Sequence, residues 1–357
     1  MKFIHTGDFH IGASLRHASF SHDKSLLIRQ KEIEQSVYRL LEYVKEKKIP
    51  YLFITGDLFD HNHVAISKIE RLFKTLSELP TNIFIVIGNH DTFLHNEAFK
   101  NIRTYDNIHF LDHTQHLYKQ DSVHVYGFST RDFSETTLLE YNKNLDTSKV
   151  NVLCLHGDIM NKQDDHYLTS LKTLELLDFD YIALGHIHKH SFLTDRIAYS
   201  GNLEPLDFSE TTARGFIEGT LTKPLKKPNF KPFAKRMVHH LDITITETDN
   251  EQTFIKKLNA KIDDKKRETD LYRVTIQGEY SQSFELNDVF LDSLKDAFYY
   301  LEFKNNAKQA LDLQTLKKAY KDTIIETLIE TYENDTDNND SLRLAIRELL
   351  ATEEGIR

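Results

Sequence analysis

One cysteine stands in the whole chain, Cys154, so no disulfide can form within it. Its neighbours Val152, Leu153 and Leu155 are apolar, and the thiol reads as a small core residue. A chain without disulfides is expected in a reducing compartment, and a cytoplasmic location is the reading here. Apolar runs of membrane-spanning length, about 18 residues, are missing as well. No charged leader precedes the first strand, so neither secretion nor a membrane partner is expected. Excess positive charge is the third absence. Lys and Arg number 45 against 55 Asp and Glu, a net charge of -10. That balance excludes coating nucleic acid by bulk charge, though not a local basic groove.

What is present suffices for a sizeable core. The 357 residues are 39% hydrophobic, with 23 Phe and 16 Tyr, and the length suits two or three domains. Ile83-Phe-Ile-Val-Ile87 reads as a strand buried on both faces, and it runs straight into Gly88-Asn89-His90-Asp91. Gly88 is expected to permit a sharp turn there. The motif repeats in kind along the first 220 or so residues. Strand 2–6 ends in Asp8 and His10, strand 51–55 in Asp57, strand 150–155 in His156, and strand 181–184 in His186 and His188. Helices are expected at about 25–47, 66–79 and 170–177, stopped in two cases by Pro50 and Pro80. Short alternating runs between His109 and Phe128 read as antiparallel strands, and alternating strands and helices argue for a layered α/β or αββα domain.

If those strands lie side by side, their polar ends converge on one sheet edge, where open α/β sheets keep their ligand sites. Carboxylates and imidazoles without cysteine suit a first-row divalent metal such as manganese or iron. So many donors exceed the needs of one ion and fit two ions about 3.5–4 Å apart, bridged by a carboxylate. An isolated Asp-x-His or His-x-His is an ordinary loop feature. Five strand ends of this kind in order are not.

The segment 222–236 breaks the rhythm with three prolines and six basic residues and no acid, and reads as an extended linker. A small α+β domain is expected after it. From Leu311 the chain reads as helical, with Leu313, Leu316, Tyr320, Ile324, Leu328 and Tyr332 on one stripe. The acidic stretch Glu333–Asp340 then separates it from a last helix, Leu342–Leu350.

The ordered set Asp8-x-His10, Gly56-Asp57, Gly88-Asn89-His90-Asp91, His156-Gly157 and Gly185-His186-x-His188 resembles the calcineurin-like metallophosphoesterases. Within them the chain looks like the SbcD-type DNA repair nuclease subunits, of which a YhaO-like exonuclease subset fits its length. Three stretches carry that likeness: Phe3 to Gly12, Ile54-Thr-Gly-Asp-Leu-Phe-Asp60, and Tyr199-Ser-Gly-Asn-Leu-Glu-Pro-Leu-Asp-Phe-Ser-Glu210. One departure follows Asp60: His61-Asn62-His63-Val64-Ala65 stands where many relatives carry Pro-Ser.

The resemblance implies an αββα-sandwich metallophosphoesterase domain over 1–221, a basic linker over 222–237, a capping domain over 238–305 and a helical partner-binding region over 306–357. It implies two divalent metal ions, Mn2+ first, with Fe, Zn or Mg as alternatives. Asp8, His10 and His188 would hold one ion, Asn89, His156 and His186 the other, and Asp57 would bridge them. His90 would stand beside the scissile phosphate with Asp91 orienting its ring. The activity implied is two-metal hydrolysis of DNA by an exonuclease in DNA repair, working as a homodimer with an SbcC-type coiled-coil ATPase. The alternatives are a phosphodiesterase or phosphatase for a small nucleotide or a phosphoprotein, which the same metal core would serve, or a non-catalytic scaffold.

Overall fold

Phe3, Tyr51, Phe53, Phe84 and Val86 alternate along their strands with Ile4, Leu52, Ile54, Ile83 and Ile85. All ten are buried, because period-2 alternation sends each set to an opposite face and both faces are covered. The computed structural model describes residues 1–16, 23–60, 64–332 and 339–354. They form two compact units, Met1–His239 with Thr269–Leu271, and His240–Glu268 with Tyr272–Arg357.

The first unit begins with β1 (Lys2–Thr6), α1 (Asp23–Glu46), β2 (Tyr51–Thr55), α2 (Ile66–Ser77), β3 (Asn82–Val86), β4 (Ile108–Phe110), β5 (Leu117–Lys119) and β6 (Val123–Phe128). It continues through α3 (Glu135–Lys143), β7 (Val150–His156), α4 (Leu171–Glu175), β8 (Tyr181–Gly185), β9 (Ser191–Phe192), β10 (Ile197–Tyr199), β11 (Gly215–Thr220) and β12 (Asn229–Pro232). Two six-stranded sheets result, in the orders β12-β11-β1-β2-β3-β4 and β5-β6-β7-β8-β10-β9. Their inner faces share one core, in which Phe3, Phe53 and Phe84 meet Val125, Val152, Cys154 and Tyr181. The outer face of the first sheet packs on Val37, Leu40 and Val44 of α1 and on Ile69, Leu72, Phe73 and Leu76 of α2, spaced as one helical face. Leu138 of α3 and Leu174 of α4 cover the outer face of the second. The architecture is an αββα sandwich, and each fully buried Leu, Ile or Phe in it is worth about 1.5–3 kcal/mol of burial.

Three features differ from the sequence reading. The strand ends do not share one sheet edge. β1, β2 and β3 belong to the first sheet and β7 and β8 to the second, so face-to-face packing brings their ends together. Between His109 and Phe128 only β5 and β6 pair antiparallel; β4 runs parallel to β3 and β6 parallel to β7. Alternation reports a half-buried face and carries no information about strand direction. The basic segment is also more than a free linker. β12 lies antiparallel to β11, Lys235 and Arg236 pair with Glu32 of α1, and Arg39 donates to the Phe233 carbonyl.

The second unit carries β13 (Val238–Ile245) from His240 on, α5 (Glu251–Ala260), α6 (Asp264–Arg267), β14 (Leu271–Tyr280) from Tyr272 on, α7 (Asp288–Ser293), β15 (Tyr300–Asn305) and β16 (Lys308–Gln309). Its four-stranded sheet packs Ile243, Ile245, Val274 and Ile276 against Phe254 and Leu258 of α5. Three helices follow, α8 (Leu313–Ala319), α9 (Ile324–Tyr332) and α10 (Asn339–Glu354). The single stripe expected from Leu313 to Tyr332 is therefore split. Its continuity breaks at residues 320–323, and Ile325 and Ile329 become the buried positions of α9, against Leu342 and Ile346. Ile324 is left exposed. Residues 333–338 of the acidic stretch and His61-Asn62-His63 lie outside the described residues.

Candidate metal centre

Residues 150, 152, 154 and 156 share the inward face of β7, which carries the His156 ring between the two sheets. There its Nδ1 donates to the Thr55 carbonyl at 2.7 Å. Because that partner only accepts, Nδ1 bears the proton and Nε2 is the nitrogen turned to the centre. Nε2 lies 2.9 Å from Asn89 Oδ1 and 3.4 Å from Asp57 Oδ2. From the other side His10 Nε2 approaches the same Asp57 Oδ2 to 3.6 Å. His188 Nε2 lies 3.1 Å from His10 Nε2, and the His186 ring stands 5.3 Å from that of His156. Three overlapping groups could hold a cation here, Asp8–His10–Asp57, Asp57–His156–His186 and His10–Asp60–His90, with Asp57 common to the first two and His188 in none of them.

The carboxylates are set by the backbone. The His90 N–H donates to Asp57 Oδ1 at 3.0 Å, and the His186 N–H to Asp8 Oδ1 at 2.9 Å. In each acid one oxygen is thereby held while the other faces inward. Asp8 Oδ2 is buried without a hydrogen-bond partner, a costly state in a protein interior unless a cation supplies the missing contact. Asp8, His10, Asp57 and His186 all have positive φ, four of the six such non-glycine residues among those described. Strain of this kind persists where the surroundings over-determine the backbone, as they do at ligand sites.

Charge points the same way. Burial would lower the His156 imidazole, but the Asp57 and Asp8 carboxylates raise it to about 9. Burial would raise Asp57, yet His156, His10 and His90 hold it far below the usual carboxylate range. The cluster thus attracts positive charge at its centre.

Two assignments from the sequence change. Gly88 lacks a positive φ; its role is close approach, because a Cβ there would collide with the Asp57 carboxylate. Asp91 does not hold the His90 ring. Its oxygens accept from the backbone N–H groups of Leu58 and Phe59 at 2.8 and 2.9 Å, under the Asp57 loop. Buried and beside Asp57, its carboxyl is pushed up to about 7. The carboxylate near the His90 ring is Asp60, 3.8 Å from Nδ1.

A residue that the sequence reading passed over completes the site. Glu210 accepts from His188 Nδ1 at 2.8 Å through Oε1, and from Asn202 and the Leu206 N–H through Oε2. It closes the Tyr199–Glu210 motif, so the signal was present, but its role depended on contact with His188. Elsewhere, His95, Asp112 and His113 cluster too. There Arg103 already places a guanidinium 2.7 Å from Asp112.

The family model described as calcineurin-like phosphoesterase matches residues 1–190, more than half the chain. The chain belongs to that family. It is accordingly a metal-dependent hydrolase of phosphate esters, and its donor set is that of a dimetal centre. Similar solved structures include a dimetal phosphatase from Danio rerio, at 10% identity and TM-score 0.40, covering 62% of this phosphoesterase and 93% of that chain. A protein of Thermus thermophilus has 12% identity and TM-score 0.42, over 64% and 98%. An archaeal phosphodiesterase has 14% identity and TM-score 0.33, over 64% and 99%. No helix among the described residues of this phosphoesterase is long and apolar enough to cross a membrane.

Proposed function

We propose that this phosphoesterase is a two-metal DNA nuclease of the SbcD type, acting as an exonuclease in DNA repair. The observation that carries the two-metal reading is Asp57 Oδ2, approached by His156 Nε2 at 3.4 Å and His10 Nε2 at 3.6 Å. Asp8, His10 and His188 would hold one cation, Asn89, His156 and His186 the second, with Asp57 between them. When bound, the two cations lower the pKa of water and offset charge on the phosphate. Mn2+ is the first choice for an oxygen-and-imidazole set, with Fe, Zn or Mg as alternatives.

The polymer reading is supported by access. The side chains of His90, His186 and His188 are 17, 16 and 26% exposed, so the ligand rim meets solvent. The motif stretches shared with SbcD-type subunits support it as well. His90 protonates the leaving oxygen, a task for which an imidazole is suited near neutral pH. A homodimer working with an SbcC-type coiled-coil ATPase belongs to the same reading, with the helices after residue 306 as the docking region.

The deciding experiment follows degradation of single- and double-stranded DNA ends with Mn2+, with and without chelator. Wild type should degrade DNA only with metal. His90→Asn should keep both metals and lose about 10²–10⁴ in rate. Metal content and rate falling together in that variant would refute the role given to His90.

A further inference from the structure

Arg16 stands at the mouth of the centre in a way the metal set does not require. Its N–H donates to the Leu206 carbonyl at 2.8 Å, and its own carbonyl accepts from Phe208 N–H at 3.0 Å. The backbone is clamped on both sides, while the side chain is 49% exposed. Its Nη2 lies 3.2 Å from Asp60 Oδ1. The same oxygen is 3.6 Å from His10 Nδ1 and 3.8 Å from His90 Nδ1. Laid end to end, those distances put the guanidinium within 7.0 Å of the His90 ring nitrogen. By His186, Asp164 adds a negative charge, its Oδ1 3.6 Å from His186 Nε2.

An exposed ion pair such as Arg16–Asp60 adds little to stability. It does aim a half-solvated guanidinium at the approach to His90. The guanidinium fork matches a phosphate through paired N–H donors, which a point charge cannot do. A polyanionic strand would meet the guanidinium's N–H donors on the His90 side, where Asp60 offsets part of their charge, and repulsion beside Asp164. We propose that Arg16 grips the phosphate neighbouring the one being cut, and so makes the centre selective for a chain of phosphodiesters over an isolated one. This rests on the DNA reading above and names the residue that reads the polymer.

The test compares wild type, Arg16→Gln and Arg16→Lys with Mn2+ on a single-stranded oligonucleotide and on bis(p-nitrophenyl) phosphate, which has no neighbouring phosphate. The ratio of kcat/KM for oligonucleotide to that for the small diester should fall about 10- to 100-fold in Arg16→Gln, the range for a lost charged hydrogen bond. The loss should sit mainly in KM, with Arg16→Lys between the two. The slope of log affinity for the oligonucleotide against log salt should also drop by about 0.7, one phosphate contact on a single strand. An unchanged ratio, with both substrates affected equally or neither affected, overturns the proposal and leaves the DNA reading standing. A wild type that hydrolyses the small diester but not the oligonucleotide overturns the DNA reading, and this inference with it.

Discussion

At the scale of single residues, four of the inward-facing donors are set by a partner behind them. His156 leans on the Thr55 carbonyl, Asp57 on the His90 N–H, Asp8 on the His186 N–H, and His188 on Glu210. Such outer contacts fix ring tautomers and leave the metal-facing atom without choice. Glu210 is the one side-chain carboxylate among these four supports. Burial would raise its carboxyl, but the His188 hydrogen bond and the charges of His188 and Arg214 hold it low. Glu210→Gln keeps the shape and removes the charge. It should weaken metal affinity by about tenfold or more, read by equilibrium dialysis, and an unchanged affinity would mean the carboxylate charge contributes nothing. The donor residues themselves were legible, because each follows an apolar strand. Their supports were not, since Thr55, Glu210 and Asp60 acquire roles only from what stands opposite them.

At the scale of elements, α1 does more than cover a sheet. Glu32, on its inner side, accepts from Arg236 and Lys235 and lies 3.3 Å from Arg29, while Glu204 receives Arg29 and the Lys235 N–H. This network binds the basic, proline-bearing segment to the sandwich. Composition alone read that segment as a linker, because acids far away in the chain are invisible in a local window. Burial opposes the Glu32 charge, but Arg236, Lys235 and Arg29 bring its carboxyl down to about 2 from an ordinary 4.5. A depressed folded-state pKa stabilises the fold above about 4.5, and that contribution disappears as pH falls towards 2. The difference in stability between wild type and Glu32→Gln should therefore be about 1–3 kcal/mol near neutral pH, the shift discounted for solvent screening, and shrink between pH 4.5 and 2. Thermal melts across that range check it, and a difference independent of pH would rule it out. The α8–α9 break has the same lesson from the other direction: one stripe on a helical wheel became two helices, because α10 supplied a core for Ile325 and Ile329.

At the scale of the whole molecule, the chain divides into two compact units, and every proposed metal ligand lies in the first. Binding that favours one folded unit raises that unit's stability alone, by about 2.7 kcal/mol at a metal concentration 100 times Kd. Calorimetry with and without Mn2+ should thus show one transition that moves and one that stays. A uniform shift of all transitions would contradict this. The sequence by itself determined the family-level chemistry: which residues end the core strands, the absence of cysteine among them, and the alternation that makes each strand two-faced. These are local properties, carried by residue type and spacing. Only the tertiary structure decided that the strand ends belong to two sheets, that Gly88 yields space to Asp57, that Asp91 braces the Leu58–Phe59 backbone, and that Arg16 reaches Asp60. Those depend on which surfaces face each other across the sandwich, and packing between distant segments is written in no single stretch of the chain.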